Sequence, residues 1–234
     1  MHAIRLSHER GHVDFGWLNS RHTFSFGEYH DPRFMGFGPL RVINEDRVAP
    51  GKGFGTHSHR DMEILSWVLD GALEHKDSLG TGAVIRPGEL QRMTAGTGVT
   101  HSEFNGSPSE PVHFLQIWIE PKTRGTAPAY EQLKFEAEEK QNRFKVLASS
   151  TPTPGAATLN QDAKVSVAEL EAGRELDYDL GAGRHAWLHV IHGEVSVNGE
   201  KLSTGDAIAV DSEEVLKIAA QGTPKSEILL FDLQ

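Results

Sequence analysis

Residues 53–71 read GFGTHSHRDMEILSWVLDG, from Gly53 to Gly71. Two imidazoles, His57 and His59, stand one residue apart, and Glu63 opens a hydrophobic run that ends at a glycine. On a β-strand, residues i and i+2 share a face, with Cα atoms ~6.6–7 Å apart. Both histidines can then converge on one point in front of an apolar segment. The same spacing recurs in the stretch AGTGVTHSEFN, which sets His101 and Glu103 in an i, i+2 relation. On neighbouring strands the two pairs assemble three imidazoles and a carboxylate. That set suits a divalent transition ion such as Fe, Mn, Ni, Co, Cu or Zn. The bland alternative for a lone H-x-H is a pair of exposed loop histidines.

Working outward, the chain reads as many short strands separated by Gly, Pro, Asn and Asp. Residues 63–69, 112–119, 187–191, 206–211 and 227–233 are rich in β-branched, aromatic and large aliphatic residues. Asn198-Gly199 within VSVNGEKL signals a two-residue hairpin turn. Residues 129–140 (AYEQLKFEAEEK) form the best helix candidate, short and charged. This pattern implies an all-β fold of sandwich or barrel type. A break at 120–130, EPKTRGTAPAY, divides the chain into domains at 1–125 and 126–234. Strand-Gly-strand patterns at 67–77 and 189–199, each followed by a Gly-acid turn, suggest two copies of one barrel.

Composition narrows the function classes. A chain of 234 residues can bury a sizeable core. The absence of cysteine excludes disulfides, thiolate ligands and thiol nucleophiles. A net charge of −10 argues against direct nucleic-acid or anionic-membrane binding. No apolar run reaches the ~18 residues of a membrane helix, and a cytoplasmic protein is the expectation.

The order Gly51-x5-His57-x-His59-x3-Glu63, then Gly71, then Gly98-x2-His101-x3-Asn105, resembles the two barrel motifs of the cupin superfamily. The first motif has one extra residue before Gly71, and in the second Gly96 replaces the usual proline. More specifically, the chain resembles the pirins, a bicupin family. The resemblance runs from RGHVDFGWLNSRHTFSFGEYHDPRFMGFGPLRVINEDRV through both metal motifs to LQIWIEP, and is looser in the C-terminal half. It implies two tandem cupin barrels with one metal, usually iron, in the N-terminal barrel. Spacing alone leaves Glu63 and Glu103 open as the acidic ligand. The resemblance favours Glu103, giving His57, His59, His101 and Glu103 as ligands and Glu103 as catalytic base.

The resemblance also implies an activity. Several bacterial pirins open the heterocycle of flavonols such as quercetin with O2 and release carbon monoxide, so a flavonol-like substrate and O2 are the expected partners. The alternative is a metal-binding regulatory protein that works through protein partners without turnover, as associated with animal pirins. In the second barrel, glycine alignment sets Asp179 and Gly181 against His57 and His59, and Ile218 and Ala220 against His101 and Glu103, so its ligands are absent. His185, His189 and His192 are expected to be surface or core residues. His113 is expected to be packed and hydrogen-bonded, and His75 to lie outside the cluster. His8, His12, His22 and His30 lack metal spacing, and Phe24, Phe26, Phe34 and Phe37 are expected in the core.

Overall fold

The structure is a computed structural model that describes residues 2–211, 213–222 and 225–234. It consists almost wholly of strands. The first is β1 (His2–Arg5), followed by β2 (Gly11–Asp14), β3 (Leu18–His22), β4 (Leu40–Val48), β5 (Gly53–His59) and β6 (Glu63–Asp70). Next come β7 (Leu73–Asp77), β8 (Gly82–Ile85), β9 (Glu89–Thr94), β10 (Val99–Asn105), β11 (Val112–Ile119) and β12 (Ala129–Lys134). A single helical turn, α1 (Ala137–Lys140), precedes β13 (Lys145–Ser149), β14 (Ala157–Thr158), β15 (Ala163–Glu171), β16 (Glu175–Asp179) and β17 (His185–His192). The chain ends with β18 (Glu194–Val197), β19 (Glu200–Ser203), β20 (Ala207–Asp211), β21 (Val215–Ala220) and β22 (Lys225–Leu233).

Two compact units result. One comprises Gly11–Phe135 with Leu159–Gln161; the other takes the N-terminal residues through Arg10, Glu136–Thr158 and Asp162–Gln234. The sequence division at 125/126 therefore differs from the packing at Leu159–Gln161 and at two strands. Strand β12 belongs to the first unit because it pairs with β9. Strand β1 belongs to the second because it pairs with β20. The expected helix over 129–140 is mostly this strand β12, and only Ala137–Lys140 is helical. Pairing Ala129↔Thr94 through Lys134↔Glu89 gives the segment a ladder that overrides its helix-forming composition. The helical turn keeps a capping box, with the Glu136 backbone N–H donating to Glu139 Oε2 at 2.9 Å.

Each unit is built from a seven-stranded and a four-stranded sheet. In the first unit the orders are β12-β9-β6-β11-β4-β3-β2 and β5-β10-β7-β8. In the second they are β1-β20-β17-β22-β15-β13-β14 and β16-β21-β18-β19. The inner strands correspond, as the internal similarity suggests, while the outermost differ: β14 pairs parallel with β13 where β2 pairs antiparallel with β3. Gly71 and Gly193 mark equivalent corners, with φ of 78° and 88°. A Cβ at either would meet backbone oxygen at 2.7 Å, from Pro111 and Lys225 respectively. The Asn198-Gly199 hairpin forms as expected, with both residues at positive φ between β18 and β19.

Period-two alternation fills the interior of the first unit in layers. Leu18, Val48, Val68, Leu73, Ile85, Val112 and Phe114 form one apolar layer, and Ile64, Met93, Ala95 and Val99 another. A different kind of rung lies on the same inward face. Gln91 pairs with Ser66, Ser66 with Gln116, and Gln116 with Asn44, and all four side chains are buried.

Candidate metal centre

Strand β10 carries the site because it pairs on both sides. His101 stands opposite His57 on β5, and opposite Asp77 on β7; Glu103 stands opposite His75. On the β5 side the register shifts between His101 and Glu103, since Glu103 pairs with Phe54. Such a bulge adds a residue to one strand and re-aims the side chains beside it. It lies immediately before the H-x-H pair.

The three motif histidines come together. Ring centroids lie 4.7 Å apart for His57–His59, 4.4 Å for His57–His101 and 4.8 Å for His59–His101. His57 Nε2 and His101 Nε2 are 3.0 Å apart. Two nitrogens bound at right angles to one ion at ~2.1 Å would be separated by about 3.0 Å, so the spacing fits adjacent ligands. His57 Nδ1 lies 2.8 Å from the Gly55 carbonyl, which accepts a hydrogen bond from Nδ1–H and leaves Nε2 with its lone pair. Burial and the neighbouring His57 lower His59 to about 4. Burial, then His57, His59 and His75, lower His101 to about 3. Both are therefore neutral, metal-competent imidazoles at physiological pH.

Glu103 is buried and joins His101 and His75 in a second close group, with ligand atoms within 4.8 Å of one another. Its carboxylate engages the polar rung. Gln116 Nε2 donates to Oε2 at 2.9 Å, while Ser66 Oγ and Gln91 Nε2 each lie 3.3 Å from Oε1. Ser66 also donates to Gln116 Oε1 at 2.7 Å. Burial raises the Glu103 pKa, against lowering by the histidines and these donors. Glu63 is placed differently. It pairs with Ile119 and Thr94, on the face of β6 opposite Ser66, and accepts a 2.9 Å bond from Thr94 Oγ1. Burial raises its pKa as well.

Other residues depart from expectation. His75 lies inside the cluster, its Nδ1 3.5 Å from His101 Nδ1. Its position on β7 depends on cross-strand register, which no local spacing reveals. Phe24 is core, but Phe26 is only half-buried and packs edge-on against Trp118 at 5.3 Å. Phe34 and Phe37 are also only partly buried. Trp118 in turn packs against His59 at 4.9 Å. Phe26, Trp118, Tyr29, Met35, Val42 and Met62 wall much of a cavity of about 380 Å³, with Ser25, His30, Arg41 and Glu120 also lining it, and Trp118 is the wall residue that touches His59. His113 bonds to Glu45 at 3.0 Å, as its expected packed role requires.

The second unit carries no such cluster among the described residues. Strand pairing also corrects the glycine-based alignment: Ile218 stands opposite Leu176, and Leu216 opposite Tyr178, so Leu176 and Tyr178 occupy the places given to Asp179 and Gly181. His185 bonds to Asp211 at 2.7 Å, His189 is buried and His192 is exposed.

Two barrels of cupin type, one of them lined by a metal-type histidine cluster, define the molecule as a bicupin. The Pirin family pattern matches residues 3–119, and a quercetinase C-terminal cupin domain pattern matches 146–233. The chain belongs to the pirin family. It is 44% identical over 230 residues to quercetin 2,3-dioxygenase of Escherichia coli K12, covering 98% of this chain and 97% of that protein. It superposes on the crystal structure of YhhW from Escherichia coli with a TM-score of 0.96, at 44% identity, covering 100% of this chain and 98% of that one. The bacterial pirin YhhW in complex with nickel(II) gives a TM-score of 0.95, at 44% identity, with 100% and 99% coverage.

Proposed function

We propose that the protein is a metal-dependent dioxygenase that opens the heterocycle of a flavonol-like substrate with O2 and releases carbon monoxide. The observation that carries this reading is the convergence of His57, His59 and His101, two of them held neutral, with Trp118 joining His59 to a cavity walled largely by apolar side chains. Relatives named quercetin 2,3-dioxygenase support the substrate class. In this reading the three histidines hold one divalent ion and Glu103 completes the set. Fe2+ is the first choice from the family resemblance, and Ni2+ is supported by the nickel-bound relative. The bound ion supplies Lewis-acid polarisation of a substrate oxygen.

The chain's own residues do the rest. Glu103 takes the 3-hydroxyl proton at a carboxylate oxygen, its basicity raised by burial. Gln116, Ser66 and Gln91 hold that carboxylate in place. Phe26, Met62 and Trp118 offer apolar walls for flat rings and exclude water from the reacting face.

The test is quercetin-dependent O2 uptake with carbon monoxide detection on protein loaded with a single metal. Glu103→Gln should abolish turnover while weakening metal binding less than a histidine deletion does. Glu63→Gln should keep metal and most activity, because Glu63 faces away from Ser66. Full activity in the Glu103 variant, with metal lost from the Glu63 variant, would overturn both assignments.

A further inference from the structure

Beyond the motif residues, a buried pair stands directly behind His101. Asp77 Oδ2 lies 3.0 Å from His75 Nε2, and both side chains are fully buried. Asp77 Oδ1 accepts backbone N–H bonds from Leu79 and Thr81, each at 2.9 Å, which anchors the carboxylate in the turn after β7. Tyr130 packs along the His75 ring at 5.0 Å with an interplanar angle of 30°. The other ring nitrogen, His75 Nδ1, faces His101 Nδ1 at 3.5 Å, at the outer limit of a hydrogen bond. His101 Nε2 points the opposite way, to His57.

An ion held between His57 Nε2 and His101 Nε2, which lie 3.0 Å apart, needs both of these nitrogens bare, and that fixes the ring protons behind them. An ionised carboxylate only accepts, so His75 Nε2 carries the proton toward Asp77. A neutral imidazole then has a bare Nδ1. Two facing nitrogens need one proton between them, so His101 Nδ1 carries it. His101 Nε2 is left with its lone pair on the side of His57 and His59.

We infer that the His75–Asp77 pair is a positioning device that locks His101 in its Nδ1–H form and aims its Nε2 lone pair into the histidine cluster. The inference rests on the proposed role of His101 as a ligand. Partners behind a ligating imidazole fix its tautomer and ring plane, and their loss typically weakens metal affinity by about 10–100-fold. His57 receives the equivalent help from the Gly55 carbonyl. For His101 the acceptor is another imidazole, itself oriented by a carboxylate. Spatial register creates this relay, since His101 and Glu103 on β10 stand opposite Asp77 and His75 on β7.

The test combines long-range proton–nitrogen correlation spectra of the histidine rings in metal-free protein with nickel(II) titration of the same samples. Wild-type protein should show His101 as Nδ1–H and His75 as Nε2–H. His75→Phe should shift His101 toward Nε2–H and lower nickel affinity about 10–100-fold. His75→Asn places an amide oxygen near the former Nδ1, so it should restore the tautomer and most of the affinity. It also keeps the test available should the Phe variant fail to fold. A wild-type His101 protonated at Nε2, or a doubly protonated His75, would overturn the inference. So would a folded His75→Phe protein with unchanged tautomer and affinity. Failure of wild-type protein to take nickel would count against the metal reading instead, because the metal-free tautomers are measured independently.

Discussion

The two barrels share the order of their inner strands and differ in what faces inward. In the first, the rung Gln91–Ser66–Gln116 crosses β9, β6 and β11 beneath Glu103. In the second, the same rung across β20, β17 and β22 is Ile208–Leu188–Leu230, with Ala220 in place of Glu103. Where His57 faces His101, Leu176 faces Ile218. Where His75 faces Glu103, Val195 faces Ala220. The β5 bulge has no counterpart in the unshifted register of β16 with β21.

The difference separates what the architecture needs from what the site needs. Burying a Leu or Ile side chain contributes about 1.5–3 kcal/mol, and the second barrel collects this across its interior. The first barrel forgoes it over one whole layer and relies on hydrogen bonds instead, which still leave Asn44 Oδ1 and Gln91 Oε1 without a protein partner. It also keeps acids whose ionisation burial resists. Asp46 is raised to about 7, by burial first, with Glu103 and Glu45 adding to the rise against the Ser20 hydrogen bond. The site is thus assembled at the expense of core packing, within a topology that the second barrel maintains without it.

Exchanging the properties of the two interiors sharpens the comparison. The largest effect is expected from His57→Ala, His59→Ala and His101→Ala. Each should remove most bound metal while leaving a folded protein, read by elemental analysis and circular dichroism. Unfolding in all three would make the cluster structural.

The corresponding change in the second barrel, Ile218→Ala, should do the reverse. It opens a cavity in a fully apolar core and should cost about 2–5 kcal/mol in denaturant unfolding, with metal content unchanged. A metal loss there would break the separation of roles.

A smaller, pH-dependent effect is expected from Asp46→Asn. Folded Asp46 holds its proton more tightly than the unfolded chain does, with a pKa of about 7 against 3.8. Its contribution to stability is therefore complete below pH 3.8 and is lost as pH rises toward 7. The Asn variant should exceed the parent by an amount on the order of a few kcal/mol at pH 8. That advantage should vanish near pH 4. Urea unfolding at both pH values checks the sign. Equal stability differences at the two pH values would show that Asp46 titrates normally.

Much of this was legible in the sequence, and the remainder has a common cause. His57, His59 and His101 stand out by spacing, because strand geometry puts i, i+2 pairs on one face, whereas spacing leaves Glu63 beside Glu103 and only the family resemblance favours Glu103. The internal duplication is visible in the glycine corners at Gly71 and Gly193. His75, Asp77 and the Gln91–Ser66–Gln116 rung are silent, because their meaning arises only from pairing between strands distant in sequence. Tyr130 is hidden in a charged stretch that composition reads as helix, until pairing with β9 makes it a strand. The placement of β1 with β20 is likewise set by partners from the far end of the chain.

The central claim is that one barrel holds metal and the other does not. Its most direct test is metal stoichiometry by elemental analysis of freshly purified protein, beside its His101→Ala variant. The account predicts a value near one per chain for the parent and near zero for the variant. A reproducible value near two, or full retention of metal by the variant, would contradict it.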